Sequence, residues 1–309
     1  MLNVTRRSFV TTALAGVALP QFTAGADTSI PATAKGASAE ALARVKSAAE
    51  AFAQVKDAAF AAEGKPYFHL RIPTTGEQFT FERPPDHNWH LGLWFSWKFI
   101  NGCCFWEPDK KAAIRLRSYA VDKLPNTADG GQVTRFTVES DYLAKGTPIM
   151  HEHRVITRTL SANGNVVYDW STTVHALTDL TFNAAKPGQD KKTKYYVGGG
   201  YTGLHVRMQP KGFTFAFEND TGKKGQACCG VASKTVTVHV TSQKTRARCR
   251  LTLTADTPTP NFIRDFPGKS IHTKGGYYIA GFSELFFQPR TLAKGKSWTL
   301  HHVVTCQSE

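Results

Sequence analysis

The sequence predicts an all-β protein, a large antiparallel β-sandwich preceded by one short N-terminal helix. Three observations predict it. From about Ala58 onward, short runs rich in Val, Thr, Phe and Tyr are separated by Gly, Pro, Asn and Asp, the pattern of antiparallel strands and turns. Asn163-Gly164 sits between two such runs and is a strong short-range hairpin signal. Helical spacing of apolar residues is confined to residues 39–56, where Leu42, Val45, Ala49, Phe52 and Val55 recur in an alanine-rich background.

Residues 1–26 read as an export signal. Thr5-Arg6-Arg7-Ser8-Phe9-Val10 matches the twin-arginine pattern, an apolar run follows to Pro20, and Ala24-Gly25-Ala26 offers a small-residue cleavage site. The run of roughly ten apolar residues is too short to span a bilayer, which needs about 20. The expected location is periplasmic or extracellular, and no other segment is apolar enough to cross a membrane. Residues 27–57 are expected to be a flexible polar start followed by the amphipathic helix, and 58–309 a single sandwich domain.

Further strands are expected at 112–120, 132–143, 195–208, 212–218, 234–241, 246–254, 277–287 and 297–305, with 183–194 as a long exposed loop. If Asn163-Gly164 form a two-residue type I′ turn, paired residue numbers sum to 327. Arg158 then faces Asp169 and Glu152 faces His175, two complementary cross-strand pairs. In that register Glu152, Arg154, Arg158, Asp169 and His175 share a polar face, and His151, His153, Tyr168 and Trp170 share the other.

The formal net charge is +14, which becomes +12 on loss of the two arginines in residues 1–26. This suits an anionic partner such as an acidic glycan. Nucleic acid is not expected, because no binding motif is present. Gly198-Gly199-Gly200-Tyr201-Thr202-Gly203 lacks the Lys-Ser/Thr and the helix of a phosphate-binding loop. It is expected instead to allow close backbone approach at a strand start, displaying Tyr201 and Arg207. The six cysteines lack zinc or redox spacing and read as buried thiols, with at most one disulfide.

Chemistry is expected first in PPDHNWHLGLWFSWKFINGCCFW at 84–106. Asp86, His87 and His90 lie there among Trp89, Trp94, Trp97 and Trp106. Imidazoles at this spacing suit general acid/base work or substrate binding, a divalent metal, or structural hydrogen bonding. His151-Glu152-His153 is a second cluster, whose two imidazoles project to one side of a strand as metal ligands or core groups. The candidate catalytic residues are His87, His90, Glu152 and His153. The candidate substrate-binding residues are Trp89, Trp94, Arg154, His175, Tyr201 and Arg207.

GKPYFHLRIP at 64–73, PPDHNWHLGLWFSW at 84–97, NGCCFW at 101–106, GGGYTGLHVR at 198–207 and the closing GGYYIAGFSELFFQPRTLAKGKSWTLHHVV resemble a bacterial domain-of-unknown-function family that carries the label "methane oxygenase PmoA". The resemblance spans roughly residues 58–305. It implies an all-β, often exported protein associated with carbohydrate degradation, with a sandwich similar to the galactose-mutarotase-like super-sandwich. The methane monooxygenase in the label is membrane-embedded and implies nothing for this chain. The family's DHPHHxGLWF motif aligns with Asp86 to Phe95. His87, His90, Gly92 and Trp94 carry over, and Asn88 and Trp89 replace the proline and the middle histidine. That replacement puts a three-histidine metal site in doubt.

The expected function is that of an exported carbohydrate-active enzyme, a lyase or hydrolase acting on a glycan or glycoside by His/Glu acid-base chemistry. A non-catalytic glycan-binding or envelope protein and a metal-dependent oxidoreductase are the alternatives.

Overall fold

Ser38 starts the helix that the sequence predicts: its side-chain oxygen accepts from the Ala41 amide at 3.2 Å, and α1 runs Ala39–Ala53. The computed structural model describes residues 38–183, 187–189, 191–196, 199–268 and 275–309. The export segment, the polar start and part of the 183–194 loop therefore lie outside the described residues. Ala48 and Phe52 form the buried stripe of α1. The Phe52 ring lies 5.3 Å from Phe60 and 4.9 Å from Phe136, so the helix packs against both main sheets.

Eighteen strands follow among the described residues. The first nine are β1 (Ala58–Ala61), β2 (Lys65–Phe68), β3 (Leu93–Ser96), β4 (Phe99–Ile100), β5 (Cys103–Cys104), β6 (Ala112–Leu124), β7 (Gln132–Ala144), β8 (Thr147–Leu160) and β9 (Val166–Ala176). The rest are β10 (Leu180–Asn183), β11 (Gly203–Met208), β12 (Phe213–Asn219), β13 (Ala232–Ser242), β14 (Arg248–Pro260), β15 (Arg264–Phe266), β16 (Tyr277–Gly281), β17 (Arg290–Leu292) and β18 (Ser297–Ser308). They form an eight-stranded sheet (β12-β13-β14-β18-β9-β8-β7-β6), a six-stranded sheet (β1-β2-β3-β11-β16-β15) and a four-stranded sheet (β17-β10-β4-β5). All the pairings between these strands are antiparallel. The fold is thus the all-β sandwich with one N-terminal helix that the alternating pattern predicts.

Period-two alternation explains the layering. Val236, Val238, Val240, Leu251, Leu253, Ile156 and Trp170 fill one face of the large sheet. Phe68, Leu93, Phe95, Leu204 and Val206 fill the facing side of the six-stranded sheet. Phe68 joins the layers, with ring centroids 5.2 Å from Phe136, 4.8 Å from Tyr168 and 5.7 Å from Trp170. No helix among the described residues is long and apolar enough to cross a membrane. All six cysteines are buried free thiols.

The hairpin register differs from the expected one by a single residue. The Ser161 amide donates to Asn165 O and the Gly164 amide to Ser161 O, both at 2.9 Å. Gly164 takes φ +84°, so the loop is the three residues Ala162-Asn163-Gly164, closed by a glycine in the left-handed region. Thr157 therefore pairs with Asp169, Arg158 with Tyr168 and Glu152 with Val174. A one-residue slip turns the whole of β9 over relative to β8. Glu152, Arg154 and Arg158 consequently share the inner face with Tyr168, Trp170 and Val174. His151, His153, Asp169 and His175 share the outer one.

Candidate functional site

The six-stranded sheet has a second face, turned away from the large sheet. Cross-strand register aligns Tyr67, Trp94 and His205 on it, and Arg207 and Arg264 each pair with Ile279. Residues 84–92 fold over this face before the chain enters the sheet as β3, and Trp106 returns to it beside His90. The segment begins with two consecutive turns: the His87 amide donates to Pro84 O and the His90 amide to His87 O, both at 3.0 Å. Gly92 then leads the chain into β3 at φ +66°, where a Cβ would stand 2.7 Å from the Phe68 carbonyl oxygen. Gly92→Ala is expected to cost about 2–4 kcal/mol, combining the positive φ with a backbone clash. Chemical denaturation measures it; a change under about 0.5 kcal/mol would contradict the close approach.

Asp86, His87 and Arg207 form the centre of the site. His87 Nδ1 lies 2.7 Å from Asp86 Oδ2, and Arg207 Nη2 donates to both Asp86 oxygens at 3.1 and 2.9 Å. The Arg207 guanidinium also stacks 4.1 Å above the Tyr277 ring. Burial of the Asp86 carboxyl acts to raise its pKa. The hydrogen bond from His87 and the charge of Arg207 outweigh burial and hold the pKa below the usual carboxylate value. An ionised Asp86 accepts the Nδ1 proton, which orients the His87 ring.

His90 lies under His87, its ring parallel within 9° at 4.7 Å, and is 1% exposed. Neither of its ring nitrogens has a hydrogen-bond partner among the described residues. Burial, then the charges of Arg207 and His87, push its pKa well below the ordinary histidine value, so it is neutral. Nitrogen lone pairs lie in the ring plane, so two parallel stacked imidazoles do not aim at a common metal ion. No group of three or more His, Cys, Asp or Glu side chains placed to hold a metal occurs among the described residues.

Beside this centre is a cleft of about 270 Å³ whose lining includes Trp89, Trp106, Lys65, Glu63, Glu107 and Asp109. Trp89 joins the two parts, lining the cleft while its ring stands 5.3 Å from His87 in an edge contact. Lys98 Nζ pairs with Glu107 at 2.5 Å, and Tyr201 stands 5.7 Å from Trp106.

The candidates from the sequence divide accordingly. His87, His90, Trp89, Trp94 and Arg207 come together, with Tyr201 near the Trp106 wall. Trp94 is 1% exposed beneath His90 and Trp106, so it is a floor and not an open stacking surface. Glu152 and Arg154 do not join them. They pair at 2.5 Å on the inner face, with Trp97 Nε1 donating to Glu152 at 2.9 Å and Arg154 lying between Phe95 and Trp170. His153 and His175 are on the outer face of the large sheet, bonded to Glu139 at 2.5 Å and Ser297 at 3.1 Å. The HxH pair is therefore held by separate carboxylates, His151 by Asp141 and His153 by Glu139. Sequence reasoning missed Lys65, Glu107 and Tyr277. Lys65 and Tyr277 lay inside segments quoted for the family resemblance, and Glu107 one residue beyond NGCCFW.

Fold and site define an all-β sandwich protein with a carboxylate-oriented histidine beside a tryptophan-walled cleft. The chain belongs to a family of unknown function, DUF6807, whose model matches residues 44–309. The methane oxygenase name finds no support in that match. No curated protein matches by sequence. Among solved structures, the chain is similar to the galactosidase domain of alpha-galactosidase-sucrose kinase, AgaSK, at 11% identity and TM-score 0.31, covering 70% of this chain and 29% of that one. It is also similar to a structure titled "Putative kojibiose phosphorylase from human microbiome", at 10% identity and TM-score 0.27, covering 80% and 27%. The chain thus spans under a third of either protein.

Proposed function

We propose that the protein is an exported carbohydrate-active enzyme, a lyase or hydrolase, in which His87 moves a proton to or from a sugar held against Trp89. The observation that carries this reading is the Asp86–His87 pair, anchored by buried Arg207 and placed against the same Trp89 that walls the cleft. Aromatic faces suit the apolar C–H faces of pyranose rings, and a carboxylate-oriented imidazole has the chemistry to give or take a proton. His90 stacks beneath His87 as a positioning residue, and Glu107 supplies a carboxylate within the cleft. The twin-arginine segment at Arg6 and Arg7 supports a periplasmic or extracellular location.

The test incubates the protein and His87→Ala with a panel of oligosaccharides and follows product formation. His87→Ala is expected to lose at least about 100-fold in turnover, the usual scale for one general acid/base, with its Tm little changed. Equal product from both proteins, or none from either across a broad panel, would remove the reading. Affinity without turnover, lost in Trp89→Ala and kept in His87→Ala, would mark a glycan-binding protein instead; the tryptophan walls of the cleft favour that as the second reading.

A further inference from the structure

We propose that Lys65 is the specificity-determining residue of the cleft, an anion-recognition point that selects sugars bearing one negatively charged substituent. The inference rests on the carbohydrate reading above and adds the charge of the substrate to it.

Charge around the cleft is unevenly satisfied. Three carboxylates line it, and each is already satisfied. Glu63 is held by Arg83 through two bonds of 2.9 and 2.8 Å. Glu107 pairs with Lys98 at 2.5 Å. Asp109 accepts the backbone amides of Cys104 at 2.8 Å and Lys111 at 2.9 Å. Lys65 is the exception. It is 6% exposed, lines the cleft, and its ammonium donates at 2.6 Å to the carbonyl oxygen of Phe105, a neutral acceptor that also takes the Ser96 hydroxyl at 3.0 Å. No carboxylate bonds to it among the described residues.

A buried ammonium bonded only to a neutral carbonyl is costly; Glu63 acts on it through space but is itself held by Arg83, which leaves the direct anionic partner to be supplied from elsewhere. The cost is visible in the group itself, since burial pushes the Lys65 pKa down to about 8. A methionine or leucine would fill the same place on β2 without that penalty. The apolar walls from Trp89, Trp106 and Ile114 keep the local dielectric low, which strengthens attraction to an incoming anion. Lysine acts as a compact point charge, so it suits a single carboxylate or sulfate on a sugar ring and does not impose bidentate geometry.

The experiment titrates the full chain with three matched ligands: trigalacturonate, its fully methyl-esterified form, and a sulfated galactose trisaccharide. Binding is followed by calorimetry and by quenching of tryptophan fluorescence. Wild type is expected to prefer an anionic ligand over the ester by at least about tenfold, with the preference shrinking in high salt. Lys65→Met is expected to abolish that preference while changing affinity for the ester by less than about twofold. The two anionic arms tell carboxylate from sulfate. Equal wild-type affinity for charged and uncharged ligands overturns the inference, and so does an unchanged preference in Lys65→Met. If Lys65→Met fails to fold, the wild-type preference and its salt dependence decide. Turnover of neutral sugars without an anionic preference would end this inference and leave the enzymatic reading standing; no binding to any sugar would end both.

Discussion

Glu152→Ala is expected to destabilise the protein by about 3–5 kcal/mol, the cost of stripping one partner from a buried ion pair. Glu152 and Arg154 are 3% and 1% exposed and meet at 2.5 Å between the two main sheets. The same carboxylate accepts from Trp97 Nε1 at 2.9 Å and from the Tyr142 hydroxyl at 3.2 Å. Its removal leaves a guanidinium whose Nε already has no partner, together with two orphaned donors. The double variant Glu152→Leu with Arg154→Met removes both charges at similar volume and is expected to recover most of the loss, since an apolar pair avoids the desolvation cost. Urea denaturation of both variants measures this. Turnover restored with stability in the double variant would assign Glu152 to the core. Turnover lost at an unchanged unfolding midpoint in Glu152→Ala would return it to catalysis.

Glu152 also shows where the sequence is readable and where it is not. Alternation in segments such as KTVTVHVTS at 234–242 exposes the inner face of β13 directly, because one side packs and the other meets water. The short strands β2 and β3 carry no such signal. Both are buried at all four positions, so their sequences are continuous apolar or mixed runs without a period. The hairpin was visible, but its loop length was not. Two plausible charge pairs supported a two-residue turn, whereas Gly164 closes a three-residue loop and moves Asp169 to the outer face. There His301 bonds it at 3.0 Å. That single residue of register carried Glu152 from a polar concavity into the core.

The site was legible in part for a similar reason. Asp86, His87, Trp89 and His90 are contiguous, and local density of imidazole and indole marks them. Arg207 was singled out, but its partnership with Asp86 spans 121 residues of sequence and is made by the β3–β11 pairing. Tyr277 arrives one strand further, through β16. Lys65 reads as an ordinary strand-end lysine until the fold buries it. Residues whose role depends on sheet order carry no mark in the chain itself.

Acid is expected to unfold the protein steeply from about pH 6 downward, chiefly through two buried histidines. His90 is held neutral by burial and by neighbouring positive charge. His205, fully buried with Nδ1 bonded to Gly203 O at 2.9 Å, has its pKa lowered to about 3, burial again being the main cause. In the unfolded chain each titrates near 6.5. A folded pKa below the unfolded one gives stability that is complete above about pH 6.5 and is lost as the pH falls. Each group removes about 1.4 kcal/mol per pH unit, so the pair removes about 2.8. Partly buried His69 shifts in the same direction. His301, raised to about 9 by the hydrogen bonds to Asp169 and Asp256, opposes them only above pH 6.5, where its own contribution is lost on the alkaline side. Carboxylates held low, such as Asp86 and Asp141, add their loss nearer pH 4. The window from pH 5 to 6 therefore reports chiefly the histidines, opposed by Asp265, whose carboxyl pKa is held above its usual value by burial. His90→Phe keeps a flat ring over Trp94 and carries no proton, and is expected to roughly halve the slope of unfolding free energy in that window. At neutral pH it is expected to leave stability unchanged or raised, because it removes two unsatisfied nitrogens from the interior. An equal slope in wild type and His90→Phe would show that His90 takes up its proton without unfolding the site, and would overturn its part in acid unfolding.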